Sequence, residues 1–124
     1  RYASIPHRVL DCKDYLSLSP VEKTVLMALC RPFNGHNNGD LSLTHERAKE
    51  WGIGSKSTLA KALRALREKN LILRTRDPLR DRENPYGQCS LHALTWMPID
   101  ECNGKLDVSP TKTPVRNFAL LDVT

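Results

Sequence analysis

The fold of this chain is decided by residues 41–73, which have the sequence LSLTHERAKEWGIGSKSTLAKALRALREKNLIL. Thr44 is a favourable N-cap for a first helix, because its hydroxyl can accept a hydrogen bond from a free amide of the opening turn. Gly52 predicts the end of that helix, since glycine adopts the left-handed conformation of a helix stop at little cost. The pattern therefore predicts a short helix with Ala48 and Trp51 turned inward.

A second, longer helix is predicted after a tight turn that Ile53 fills. Ser55 and Ser57 are both candidates for its N-cap. Apolar residues then recur at the i, i+3, i+4, i+7 spacing of one buried stripe, formed by Leu59, Ala62, Leu63 and Leu66. The opposite face and its flanks are polar and mostly basic, and they hold Lys56, Ser57, Thr58, Lys61, Arg64, Arg67 and Glu68.

Two short helices joined by a turn that contains glycine form the helix-turn-helix arrangement. In that arrangement the second helix enters the major groove of DNA with its N-terminal residues towards base edges. The residues predicted to contact DNA from this helix are Ser55, Lys56, Ser57, Thr58, Lys61, Arg64 and Arg67. The alternative that this stretch leaves open is a helical hairpin with a basic outer face and no nucleic-acid partner.

The segment after the second helix predicts a β-hairpin. Asn70 is a favourable left-handed stop, and residues 71–76 and 89–96 have the composition of two strands. Between them, residues 77–88 (DPLRDRENPYGQ) form a loop whose Arg80 and Arg82 are predicted to contact a phosphate backbone or a minor groove. Helix, helix, strand, loop, strand is the order of a winged helix, in which this hairpin is the wing.

The residues before this stretch predict a supporting helix and a loop. Ser19, Pro20 and Glu22 indicate the helix start, since they supply a cap, a first position without an amide and a capping box. Residues 34–40 (NGHNNGD) form a loop by composition, for which a structural role is favoured over a phosphate contact. Residues 41–43 alternate as in a short strand. The predicted fold is α+β, a winged helix-turn-helix with a three-helix core and a small antiparallel sheet.

The chain is predicted to consist of a winged-helix domain with an N-terminal extension, residues 1–98, and an extended C-terminal tail, residues 99–124. Tyr15, Leu16 and Leu18 of the extension are expected to pack inward. Residues 118–121 of the tail form an apolar cluster that either packs back on the domain or binds a second subunit. Burial against a partner chain would produce a homodimer, and completion of one chain's own core is the competing account.

The net charge of +5 is concentrated in one part of the sequence. Residues 52–88 carry nine Lys or Arg and four Asp or Glu, a net +5, whereas residues 1–51 carry seven and six, and residues 89–124 three and four. The surplus therefore lies on the predicted second helix and wing. A localised basic surface is expected for a polyanionic partner such as double-stranded DNA, and a solvated basic face without a partner is the alternative.

Other function classes find little support in the sequence. A P-loop, GxSxG, HExxH or Rossmann fingerprint is absent, which argues against an enzyme. The four cysteines and four histidines fall in no zinc-ligand spacing, so neither a metal nor another cofactor is predicted. Free thiols indicate a reducing cytoplasm. No apolar run approaches the length of a membrane span, and no small-molecule ligand is evident.

Two runs carry a resemblance to known proteins, residues 34–42 (NGHNNGDLS) and residues 94–100 (LTWMPID). With the rest of residues 5–100, they resemble a family of small bacterial winged helix-turn-helix proteins of phages, plasmids and integrated elements. The resemblance implies a DNA-binding fold. One departure is Asn70, where glycine is commoner before the strand, although Asn also accepts the left-handed conformation.

Together these observations predict a protein that binds double-stranded DNA sequence-specifically and regulates transcription by occupying its operator. A replication or partition accessory protein of a mobile element would use the same surface. The alternative of another class is a winged helix that binds a protein, since fold alone does not imply function. Such a module would need an exposed apolar patch, for which residues 118–121 are the candidate.

Overall fold

The computed structural model describes residues 2–76 and 90–118 of the chain. Within them the fold is mixed α+β, as predicted, and the order of the elements is compatible with a winged helix. The elements are α1 (His7–Leu10), α2 (Lys13–Leu16), α3 (Pro20–Cys30), α4 (His45–Glu50), α5 (Lys56–Glu68), β1 (Ile72–Arg76) and β2 (Leu91–Leu94). None of the helices in these residues is long and apolar enough to cross a membrane.

The supporting helix α3 begins as the sequence predicts. Ser19 Oγ accepts a hydrogen bond from the Glu22 amide at 3.2 Å, and the Glu22 carboxylate accepts one from the Ser19 amide at 3.1 Å. This reciprocal capping box satisfies two amides at the start of the helix. The helix ends at Cys30, shortly before Pro32, and buries Val25, Leu26, Ala28 and Leu29 in the centre of the core.

The turn between α4 and α5 also follows the sequence pattern. Thr44 caps α4 by accepting from the Arg47 amide at 3.2 Å, and Gly52 ends it with a φ of +89°. Ile53 is buried in the angle between the helices, and its amide donates to the Ala48 carbonyl at 2.9 Å. Of the two candidate caps of α5, Ser55 is the one used, since its hydroxyl accepts from the Thr58 amide.

The apolar stripe of α5 faces α3 and the sheet. Leu59, Ala62 and Leu66 are buried, and Leu63 is half-buried at the edge of the same stripe. Asn70 ends the segment with a φ of 60°, the left-handed conformation that the sequence predicts for it. The stripe thus orients α5 so that its polar face points away from the core.

β1 and β2 form a two-stranded antiparallel sheet with a bulge at Thr75. The pairs are Ile72 with Leu94, Leu73 with Ala93, Arg74 with His92 and, beyond the bulge, Arg76 with Leu91. On the other side of β2, Leu41 makes a single bridge to His92. The predicted strand over residues 41–43 is therefore reduced to one bridge. The reason is that the Ser42 carbonyl accepts from the Arg47 guanidinium at 3.2 Å and Thr44 already caps α4.

A buried asparagine anchors the loop of residues 34–40. Asn38 is 0% exposed, and its carboxamide oxygen accepts from the Leu94 amide at 2.7 Å. Its carboxamide nitrogen donates to three carbonyls, those of Leu94 (3.0 Å), Met97 (3.2 Å) and Pro98 (2.8 Å). The Asn38 amide also donates to the Asp100 carboxylate at 2.8 Å. The two most distinctive runs of the sequence are therefore in contact, which agrees with the structural role favoured for the loop.

The C-terminal segment returns to the domain. Phe118 is 1% exposed and packs edge-to-face on Trp96, with 6.4 Å between the ring centroids. Trp96 is itself 2% exposed and belongs to the core. Of the two placements predicted for the apolar cluster of the tail, Phe118 takes the one on its own chain. Residues 119–121 of that cluster lie outside the described residues.

The N-terminal extension contributes to the same core, with one exception. Val9 and Leu18 are buried and Tyr15 is half-buried, whereas Leu16 is 54% exposed. The prediction that Leu16 packs inward was wrong, because α2 is a single turn whose inward side is taken by Cys12 and Tyr15. Part of the apolar surface on which the homodimer prediction relied therefore belongs to one chain's own core.

Replacing Asn38 with Ala is expected to lower the free energy of unfolding by at least about 2 kcal/mol, because the buried Leu94 amide and three carbonyls lose their partner. Chemical denaturation measures this change. Asn117, which is exposed, supplies the matched control, and Asn117→Ala should leave the unfolding midpoint unchanged. An Asn38→Ala protein as stable as this control would contradict the anchoring role.

Candidate nucleic-acid interface

The outward face of α5 carries most of the residues predicted to contact DNA. Ser55, Lys56, Ser57, Thr58, Lys61 and Arg64 are all exposed, and Arg67 is half-buried. They share this face because burial of the opposite stripe leaves no other orientation for the helix. Six of the seven helix residues predicted for the interface are thus open to an external partner.

At the start of α5, the hydroxyls of Ser55 and Ser57 are hydrogen-bonded to each other. Ser55 Oγ lies 2.9 Å from Ser57 Oγ while it also accepts from the Thr58 amide. Farther along, a shallow depression of about 280 Å³ is lined by Ser57, Ala60, Lys61 and Arg64. Sequence reasoning missed Ala60 because it is neither polar nor charged. Its helical spacing of i+3 from Ser57 was the available signal.

The cations of this face have no acidic partner in the described part of the chain. There, ion pairs join Lys105 with Asp40 and Arg116 with Asp14. The side chains of Lys56, Lys61 and Arg64 take part in none of the hydrogen bonds or ion pairs among those residues. Their positive charge is therefore available to an external anion.

Arg67 is half-buried, although the sequence pattern groups it with the polar face of the helix and its flanks. Its guanidinium donates a hydrogen bond to Nε2 of His92 at 3.3 Å, and His92 is 2% exposed. Because a guanidinium can only donate, Nε2 must accept and the imidazole is neutral with its proton on Nδ1. Burial, together with the charges of Arg67 and Arg74, lowers the pKa of His92 from 6.5 to about 4.

Arg74 of β1 extends the basic surface beyond α5, and sequence reasoning gave it no role. It is the cross-strand partner of His92, which places it beside Arg67. Burial and then the charges of Arg74 and Arg64 lower the pKa of Arg67, and Glu68 opposes them. The helical and strand patterns each predict their own element, but only the register of β1 and β2 brings these arginines together.

The two wing residues predicted to contact DNA, Arg80 and Arg82, lie outside the described residues, as does the loop that contains them.

For metals, the residues that the structure does describe contain no group of three or more His, Cys, Asp or Glu able to hold an ion. Cys30 is buried, and burial raises the pKa of its thiol to about 12. Its surroundings are those of a core residue.

Comparisons with known proteins give no relative for this chain: no protein-family model, no curated protein and no solved structure matches it.

The neutral, buried state of His92 predicts a loss of stability in mild acid. As the pH falls from about 6.5 towards 4, the unfolded chain binds a proton that folded His92 does not. The free energy of unfolding should then decrease by up to about 1.4 kcal/mol per pH unit from this residue. Denaturation of wild type and of His92→Gln across this range measures the difference, since glutamine does not titrate.

The exposed His36 supplies the control, and His36→Gln should retain the wild-type dependence on pH. If His92→Gln and wild type lose stability in parallel between pH 6.5 and 4, His92 is not buried in the neutral form.

Proposed function

We propose that this chain is a winged helix-turn-helix protein that binds double-stranded DNA, with α5 in the major groove. The observation that carries the proposal is the exposed polar face of α5, on which Lys56, Lys61 and Arg64 have no acidic partner among the described residues. The major groove of B-DNA is wide enough to admit an α-helix. α5 has 13 residues and presents its polar face to solvent, so it can be placed there. The basic surplus of residues 52–88 supports the same partner.

Within this proposal the residues of α5 divide by role. Lys56, Ser57, Thr58 and Lys61 lie in the first turns, where base edges are within reach. Ser55 acts indirectly, because its hydroxyl caps the helix and holds Ser57. Phosphates are contacted by the later arginines of α5 and by the wing, through Arg64, Arg67, Arg80 and Arg82.

Bound protein acts by occupancy in this proposal, and blocks or recruits polymerase at an operator in the cytoplasm. A replication or partition accessory protein of a mobile element would use the same surface, in line with the resemblance to small bacterial winged helix-turn-helix proteins. One α5 spans only about four or five base pairs, so two copies on half-sites one helical turn apart would be needed to select a site. Isolation of the genomic fragments that the purified protein retains would identify the site.

A protein-binding role has less support than a DNA-binding role. The surface predicted for such a module was the apolar cluster that begins at Phe118. Phe118 is 1% exposed and packs on Trp96 of its own chain, so it is not available to a partner. A protein-binding role also leaves the basic face of α5 without an explanation.

The affinity for duplex DNA is expected to fall steeply as salt rises. The interface proposed here contains six cations, Lys56, Lys61, Arg64, Arg67, Arg80 and Arg82, and if each displaces about one counterion from the duplex, a plot of log affinity against log salt should have a slope of about −5. Fluorescence anisotropy with a labelled duplex measures this slope, and a saturated titration reports the number of copies bound. An affinity that barely changes with salt would argue against the basic-surface proposal.

Lys61→Ala is expected to weaken binding to the specific site more than binding to random duplex, by about 1–3 kcal/mol if a good base contact is lost. Arg80→Ala and Arg82→Ala should weaken both kinds of binding about equally, since phosphates carry no sequence information. Lys13 of α2 is exposed and supplies the control for loss of one lysine. Equal behaviour of the Lys61 and wing variants would refute the division of roles.

A further inference from the structure

We infer that Arg67, Arg64 and Arg74 form a binding site for one phosphate of the DNA backbone at the junction of α5 and β1, and that the buried imidazole of His92 positions Arg67 in it. This inference rests on the proposed function and deepens it. It adds two residues to the interface: Arg74 as a further phosphate contact, and His92 as a positioning residue that does not touch DNA.

The geometry starts from the hydrogen bond of 3.3 Å between the Arg67 guanidinium and His92 Nε2. Arg64 lies one turn before Arg67 on α5, at the i, i+3 spacing of neighbours on a helix surface. Arg74 is the cross-strand partner of His92 in the sheet. Arg67 and Arg74 therefore both lie beside the imidazole, and Arg64 is close enough to Arg67 for its charge to act on it.

The chemistry explains why a histidine suits this position. A carboxylate there would neutralise Arg67 and compete with a phosphate, whereas a neutral imidazole accepts a hydrogen bond and leaves the full positive charge. His92 takes one of the five N–H donors that a guanidinium carries. A guanidinium held in place before binding also loses less side-chain entropy when it binds a phosphate.

The accumulation of like charge points to an anion. Burial lowers the pKa of Arg67 most, the like charges of Arg74 and Arg64 lower it further, and Glu68 opposes them, so Arg67 is repelled by both neighbouring arginines. A phosphate bound at Arg67 would offset that repulsion, and guanidinium N–H groups are suited to donate to its oxygens.

Burying the polar imidazole of His92 in β2 costs free energy, which indicates a role for His92 beyond packing in the core. Its Nδ1 is buried and has no hydrogen-bond partner among the described residues, which is unfavourable. The neighbouring Ala93 and Leu94 are buried in β2 without a polar side chain. An apolar residue at this position would avoid the cost of an unpaired Nδ1, and what the imidazole adds is the acceptor that holds Arg67.

The test is a double-mutant cycle on binding to a short duplex of mixed sequence, with Arg67→Gln, His92→Met and the double variant. Arg67→Gln should reduce the magnitude of the salt slope by about 0.9, the value for one lost phosphate contact. His92→Met should weaken binding in the presence of Arg67 and have no further effect in the Arg67→Gln background. His92→Gln retains a carbonyl acceptor and should restore most of the lost affinity.

Arg31→Gln is the control, because it removes the same charge from an exposed position at the end of α3. It should leave the slope nearly unchanged. Thermal unfolding of each variant checks that it is folded. If His92→Met does not fold, the affinities of His92→Gln and Arg67→Gln are compared instead, and His92→Gln should bind the duplex more tightly because it retains an acceptor for Arg67. An unchanged slope in Arg67→Gln would overturn the phosphate site. Equal weakening by His92→Met with and without Arg67 would overturn the positioning role.

A wild-type protein that binds no duplex at all would overturn the proposed function and this inference with it. Wild-type binding that Arg67→Gln leaves intact would overturn only the inference, so the two failures are distinguishable.

Discussion

The burial of one apolar stripe on α5 is the constraint on which the rest of the structure depends. Leu59, Ala62 and Leu66 pack towards α3, and each buried leucine contributes roughly 1.5–3 kcal/mol relative to exposure. A rotation of α5 about its axis would expose this stripe, so its orientation is fixed by the core. Lys61 and Arg64 are thereby presented to solvent, although their side chains make no hydrogen bond or ion pair with the described residues.

Polar contacts from distant parts of the chain hold the far end of α5 and the sheet. Arg116 donates to the carbonyl of Lys69, just after α5, at 2.7 Å, and also pairs with Asp14 of α2. Asn38 joins its loop to the end of β2 and to the residues that follow. The C-terminal segment and the N-terminal extension thus stabilise the position of α5, the helix that carries the candidate interface.

Basic residues of α5 have two different environments. Lys61 and Arg64 are exposed, so their energies depend on salt and on a partner. Arg67 is held by a buried neutral histidine and lies near two further arginines, so its position is set before any partner arrives. The basic residues of α5 therefore differ: Lys61 and Arg64 are free to adjust to a partner, whereas the guanidinium of Arg67 is already oriented.

The sequence by itself determined the local structure. The caps at Ser19 and Thr44, the left-handed stop at Asn70 and the stripe of α5 depend on neighbours within a few residues, and all were predictable. Tertiary structure alone decided which strand residues meet: the register that pairs Arg74 with His92 joins residues 18 positions apart, and no local pattern encodes it. It likewise decided that Leu16 stays exposed and Arg67 is half-buried, because burial depends on what distant segments leave uncovered.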